Sequence, residues 1–221
     1  NEGISTKHNP EFTMLEFYQA YSDYRDLMTM TEQLLATVAR ESIGNDEVIV
    51  GDKTVSFRPP YPRLSLRQVV CETVNGRLGE SVVESDLRDR EAVAALAIRI
   101  GLEPGDDQSA GKITMEIFEA LCEETLIQPT FIHDFPTEVS PLSKQCCDDP
   151  GTVERFELFV AGMEICNSFT ELNDPEDQRR RLESQEALHA QFQDEDMDRL
   201  DEDFLVALEH GMPPTGGLGL G

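Results

Sequence analysis

Apolar positions along the chain change their spacing several times, and each change marks a predicted element. After the polar turn His8-Asn9-Pro10, the positions Phe12, Met14, Phe17 and Tyr18 predict a strand. From Asp23 to Ile43 the spacing turns helical, with Leu27, Met30, Leu34, Leu35 and Val38 in a stripe and Gly44 as a stop. Glu47–Val50 and Thr54–Phe57 flank Gly51-Asp52-Lys53 and predict a hairpin. A helical block spans about 65–126. Ser65 and Gln68 carry a capping-box signature, and later helices hold Val93, Leu96, Ala97 and Ile100, then Ile113, Ile117, Leu121 and Cys122. Between those two helices Glu103–Ser109 reads as a flexible loop. Strand character returns at Thr130–Phe135, and Arg155–Val160 with Met163–Phe169 flank the turn Ala161-Gly162. Asp174-Pro175 opens a helix running to about Phe192, and a last short helix ends at Gly211. This order predicts an α+β fold built on an antiparallel sheet.

Composition narrows the class. The 221 residues can bury a substantial core, and 39% hydrophobic with 28% charged residues describes a soluble globular protein rather than a disordered one. No apolar run approaches the length of a bilayer span, and Asn1-Glu2-Gly3 opens without signal-peptide character. The missing initiator Met suggests a fragment or internal numbering. The five cysteines lack paired metal spacing and read as reduced thiols of a cytoplasmic protein. With 18 basic and 44 acidic residues the net charge is −26, which by itself argues against a phosphate backbone as partner. The acidic run Asp194–Asp203 reads as a solvated face.

Two constellations can carry chemistry. If Ala161-Gly162 is a two-residue turn, Phe159 pairs with Glu164, and alternation puts Glu157 on the same face. Two carboxylates placed diagonally either face solvent or share a cation, for which magnesium is the natural candidate. Asn167, Phe169 and Glu171 alternate along the second strand, as Glu16 and Tyr18 do along the first. That set is either an ordinary amphipathic pattern or a pocket for a small amino acid with a cationic group. Strict alternation would put Asn167 opposite Glu164, so a shared site requires a bulge near Ile165–Cys166. The glycine-rich tail Gly216–Gly221 lacks the Lys-Ser/Thr of a P-loop. Its glycines would instead allow close backbone approach to a flat ligand.

Longer segments carry a resemblance. Asn1–Ser5 with His8–Tyr18 resembles motif 2 of the class II lysyl-tRNA synthetases. Pro129–Phe131 with Phe135–Leu142, then Arg155–Phe159, Glu164-Ile165 and Asn167–Asp177, resemble the following signatures, and Pro213–Gly221 is similar to the start of motif 3. The match runs in order along the whole chain. It implies a class II synthetase-like antiparallel sheet flanked by helices, a helical insertion at about 65–126, and truncation at both ends. It further implies that lysine and ATP form lysyl-adenylate, and that lysine then passes to tRNA(Lys). By motif position, Glu157 and Glu164 would hold Mg2+. Glu2, His8, Asn9 and Phe12 would line the ATP site, with Phe12 stacking on adenine and His8 near the terminal phosphates. Glu16, Tyr18, Asn167, Phe169 and Glu171 would form the lysine pocket, with Glu171 and Tyr18 at the ε-ammonium and Glu16 at the α-ammonium.

The same resemblance places an arginine before Asn1 and another after Gly221, outside these residues, so no catalytic residue separates from the binding set. It also places the dimer-forming motif 1 and a tRNA-binding OB domain elsewhere, which relieves the conflict between an acidic chain and a tRNA substrate. The whole enzyme is expected to be a cytoplasmic homodimer, and this chain alone is expected to be inactive. Two other readings remain. One is the paralogue that attaches lysine to elongation factor P, which Gly217 and the segment Pro136–Leu142 disfavour. The other is a non-catalytic synthetase fragment.

Overall fold

A computed structural model of the chain describes residues 9–192 and 201–221. Strand β1 (Leu15–Ala20) leads into helix α1 (Tyr24–Ile43), then the hairpin β2 (Glu47–Val50) and β3 (Lys53–Ser56). A short β4 (Arg63–Ser65) precedes three helices, α2 (Leu66–Leu78), α3 (Arg90–Arg99) and α4 (Ala110–Leu121). Then come β5 (Thr130–Pro136), β6 (Gln145–Cys146), β7 (Asp149–Val160), β8 (Met163–Thr170), α5 (Pro175–Phe192), α6 (Glu202–Glu209) and β9 (Thr215–Leu220). The main sheet runs β1-β9-β8-β7-β5-β4, with β6 also on β7. Its pairings are antiparallel except β4 with β5. Among the described residues no helix is long and apolar enough to cross a membrane.

The two sheet faces are covered differently. On one, Tyr24, Leu27 and Met28 of α1 pack against Phe131, Phe156, Leu158, Val160, Cys166 and Leu218. On the other, α2, α3 and α4 cover Ile132, Phe135, Val153 and Phe159 of β5 and β7. On that second face, β8, β9 and β1 present polar side chains, Phe169 and glycine instead. The site lies there.

Local chemistry explains the helix ends. Asp23 accepts hydrogen bonds from the backbone N–H groups of Arg25 and Asp26, while Asp26 accepts from the Asp23 N–H, a complete capping box. Gly44, at φ 74°, closes α1 in the left-handed region that glycine adopts without penalty. Asp23→Ala is expected to cost about 1 kcal/mol of stability, read as a lower urea midpoint. An unchanged midpoint would mean that packing alone holds the helix start.

Several sequence expectations need correction. The first strand begins at Leu15 rather than Phe12, and the first hairpin turns on Gly51-Asp52, with Val50 paired to Lys53. The buried stripe of α1 is rotated: Tyr24, Leu27, Met28, Thr31, Ala36 and Ala39 are buried, while Val38 stays 49% exposed. Ser65 precedes α2 but makes no side-chain cap, and the Gln68 amide donates to Glu72. The stretch Glu103–Ser109 is tied down by Arg90, which donates to the carbonyls of Gly105 and Gln108. The acidic run falls outside the described residues up to 200, and beyond it Asp201 caps α6 by accepting from the Phe204 N–H at 2.9 Å.

Candidate active site

Register builds the site in two rows across four strands. In the first row Glu16 on β1 pairs with Gly219 on β9, Gly219 with Asn167 on β8, and Asn167 with Glu157 on β7. In the second, Tyr18 pairs with Gly217, Gly217 with Phe169, and Phe169 with Arg155. The rows are two residues apart on every strand, so all these positions share a face. Alternation conflicts with this only at β8, where the register shifts. Leu158 pairs with Cys166 but Phe159 pairs with Glu164, leaving Ile165 as the extra residue. That bulge lies where the shared-site reading required one. It returns Glu164 to the face of Glu157 and Asn167.

Glycines make the floor. Within β9, Gly217 and Gly219 leave the middle of the face without side chains, between Glu16 and Tyr18 on one side and Asn167 and Phe169 on the other. Glu171, just past the end of β8, lays its carboxylate directly over Gly217. A Cβ at 217 would collide with Glu171 Oε1 and would stand 3.0 and 3.1 Å from two Tyr18 ring carbons. Gly216 points the other way, where a Cβ would come within 2.7 Å of Leu27 on α1. The glycine-rich tail, which the sequence assigned to no regular element, is a central strand. Glycine is a poor strand former, and close approach on both faces is what selects it here.

Electrostatics separate the carboxylates. Burial pushes the Glu171 carboxyl up to about 7. Among the described residues its oxygens accept no hydrogen bond, so a half-buried carboxyl stands without a cationic partner or donor. Tyr18, 64% exposed, has its phenol pushed above the usual range by burial, then by the negative charges of Glu171 and Glu16. Glu157 is buried; burial raises its carboxyl, Arg155 opposes that rise, and the nearby charge of Glu164 adds to it. Arg155 Nη2 donates to Glu157 Oε1 at 2.6 Å.

The donor set fits a magnesium ion better than a closed metal cage. Among the described residues no group of three or more histidines, cysteines, aspartates or glutamates could hold a metal. Two carboxylates on one face, Glu157 and Glu164, suit a cation that completes its shell with waters and substrate phosphates.

Of the sequence-predicted residues, Glu16, Tyr18, Asn167, Phe169, Glu171, Glu157 and Glu164 converge on one face. Asn9 and Phe12 lie on the segment before β1, outside the sheet. There the Asn9 amide donates to the Glu11 carbonyl at 2.8 Å, and the Phe12 ring is 66% exposed. Glu2 and His8 fall outside the described residues. Sequence reasoning gave no role to Arg155, which contacts Glu157 and Asn167 together. The available signal was its place two residues before Glu157, on the same face of a strand.

Comparison with known proteins agrees with this architecture. The chain is similar to the lysine–tRNA ligase of Moorella thermoacetica, 48% identical over 221 residues, which is all of this chain and 44% of that protein. Lysine–tRNA ligases of Thermosynechococcus vestitus and Staphylococcus aureus are 47% and 48% identical, again across the whole chain. The chain thus spans less than half the length of the curated relatives it matches. The family model for class II tRNA synthetases (D, K and N) matches residues 1–221, and the chain belongs to that family.

Proposed function

We propose that this chain carries the lysine-activating site of a protein that joins lysine to tRNA(Lys) through lysyl-adenylate. One observation carries the choice of amino acid. Glu171 is a half-buried carboxylate with no cation beside it among the described residues, next to the Tyr18 phenol. A lysine ε-ammonium would supply the missing partner, and an aspartate or asparagine side chain would not.

In this reading Glu16 receives the α-ammonium, Phe169 packs along the aliphatic stem, and Asn167 faces the carboxylate. The lysine carboxylate is already ionised at neutral pH, so its attack on the α-phosphorus of ATP requires no general base. A bond forms from the carboxylate oxygen to that phosphorus while the bond to pyrophosphate breaks. The chain contributes positioning and electrostatics. Glu157 and Glu164 would hold magnesium, which when bound neutralises charge on the leaving pyrophosphate. Glu2, His8, Asn9 and Phe12 are assigned to ATP by motif position, with Phe12 against adenine and His8 toward the terminal phosphates. Transfer of lysine to tRNA(Lys) and assembly as a homodimer belong to the whole protein.

Calorimetry with L-lysine, L-aspartate and L-asparagine tests the substrate. Lysine is expected to bind at least tenfold more tightly than either competitor, since both leave Glu171 unpaired. Equal affinity for the three would remove the lysine reading. We further propose that these 221 residues do not turn over by themselves; lysine-dependent ATP–pyrophosphate exchange by this chain alone would refute that.

A further inference from the structure

We propose that Arg155 is a positioning residue that sets which end of the Asn167 amide faces the bound amino acid. The guanidinium is largely enclosed, with 16% of its side chain exposed, and spends its donors on three separate elements. Nε donates to Asn167 Oδ1 on β8 at 3.1 Å, and Nη2 donates to Glu157 Oε1 on β7. Nη1 donates to the Val139 carbonyl at 3.2 Å and to Ser140 Oγ at 2.9 Å, in the turn that follows β5. The group also lies over the Phe135 ring, 4.6 Å from its centroid. That turn is itself anchored, because Glu138 accepts from the Gly111 N–H at the start of α4 at 2.7 Å.

The consequence for Asn167 follows from donor chemistry. A guanidinium has donors and no acceptor, so the amide must turn its oxygen toward Arg155. Its NH2 is then the end left for the ligand, and an NH2 suits a carboxylate. Without Arg155 either end of the amide could face the pocket, and the oxygen would repel the carboxylate. The fork geometry matters as well. A lysine at 155 keeps the charge, but its single nitrogen cannot reach Asn167, Glu157 and the 139–140 turn in the same arrangement. Arg155 thus links the amino-acid half of the site to the carboxylate assigned to the metal, through one rigid group.

This inference rests on the lysine reading, and the test separates the two. Arg155→Lys and Asn167→Asp are titrated against L-lysine and against cadaverine, which keeps an ammonium at each end of the stem but has no carboxylate. Asn167→Asp keeps an acceptor for Arg155 and presents no donor to the ligand. Both variants are expected to bind lysine about tenfold more weakly than the wild type, the scale of one lost hydrogen bond to a charged group. Cadaverine affinity is expected to change less than threefold in either variant. Lysine affinity within twofold of wild type in both variants overturns the inference. So does an equal loss for both ligands, which marks general damage to the fold. A wild type that binds cadaverine but gains nothing from the carboxylate of lysine also overturns it. A wild type that binds neither ligand overturns the lysine reading first and this inference with it.

Discussion

Glu171→Gln is expected to lower lysine affinity by about a hundredfold or more, the scale for leaving one partner of a buried charge pair unmatched. The amide keeps the shape of the carboxylate, so melting temperature should fall little or rise. The pH dependence gives a sharper signature. Burial holds the Glu171 carboxyl up to about 7, from an ordinary value of 4.5. The folded chain therefore binds this proton more tightly than the unfolded chain does. Its contribution to stability is full below about 4.5 and is lost as pH rises through about 7. A lysine ammonium reverses that preference, because it favours the ionised form. Lysine binding at pH 6 should release a proton, visible as a buffer-dependent enthalpy in calorimetry, and affinity should rise with pH up to about 7. Glu171→Gln should abolish both effects. Proton release that persists in the variant would assign the titration to another group and remove the argument from Glu171.

Gly217→Ala is expected to disable the same pocket through a single methyl. The new Cβ would overlap the Glu171 carboxylate and crowd the Tyr18 ring. β9 cannot retreat, because it is paired on both sides, Gly217 with Tyr18 and with Phe169. The carboxylate must swing away, so lysine affinity should fall about a hundredfold, as it does when the charge partner is lost. Overpacking should also cost about 1–3 kcal/mol of stability in a denaturant titration. Gly216→Ala is the natural comparison. Its Cβ meets Leu27 on the α1 face, so it should cost stability while lysine affinity stays within a few-fold. If Gly217→Ala binds lysine as the wild type does, Glu171 is not the residue that holds the ε-ammonium.

These two glycines also show where sequence reading fails. Thr215–Gly221 offers only Leu218 and Leu220 between glycines, and glycine disfavours strands, so the sequence assigned no strand there. The segment becomes a strand because β1 and β8 pair with its backbone, and its glycines answer to Leu27 on one side and Glu171 on the other. The stripe of α1 shows the same limit. Helical spacing is satisfied by Val38, yet the fold buries Thr31, Ala36 and Ala39 instead.

The sequence by itself determined the local elements: α1 from its helical spacing and stop, the β7–β8 hairpin from Ala161-Gly162, and α5 from Asp174-Pro175. Local reasoning went further at one point. The clash between alternation and a shared site required a bulge, and the register shift lies at Ile165. These features rest on interactions between residues a few positions apart, which the order of the chain already contains. Only the tertiary structure decided that Glu16, Gly219, Asn167 and Glu157 form one row, because that row joins four strands through pairings remote in sequence. It alone decided that Glu171 is half-buried with no cation beside it among the described residues, and that Arg155 touches both Asn167 and Glu157. Burial and long-range hydrogen bonds depend on what the rest of the chain brings alongside, and no local pattern encodes that.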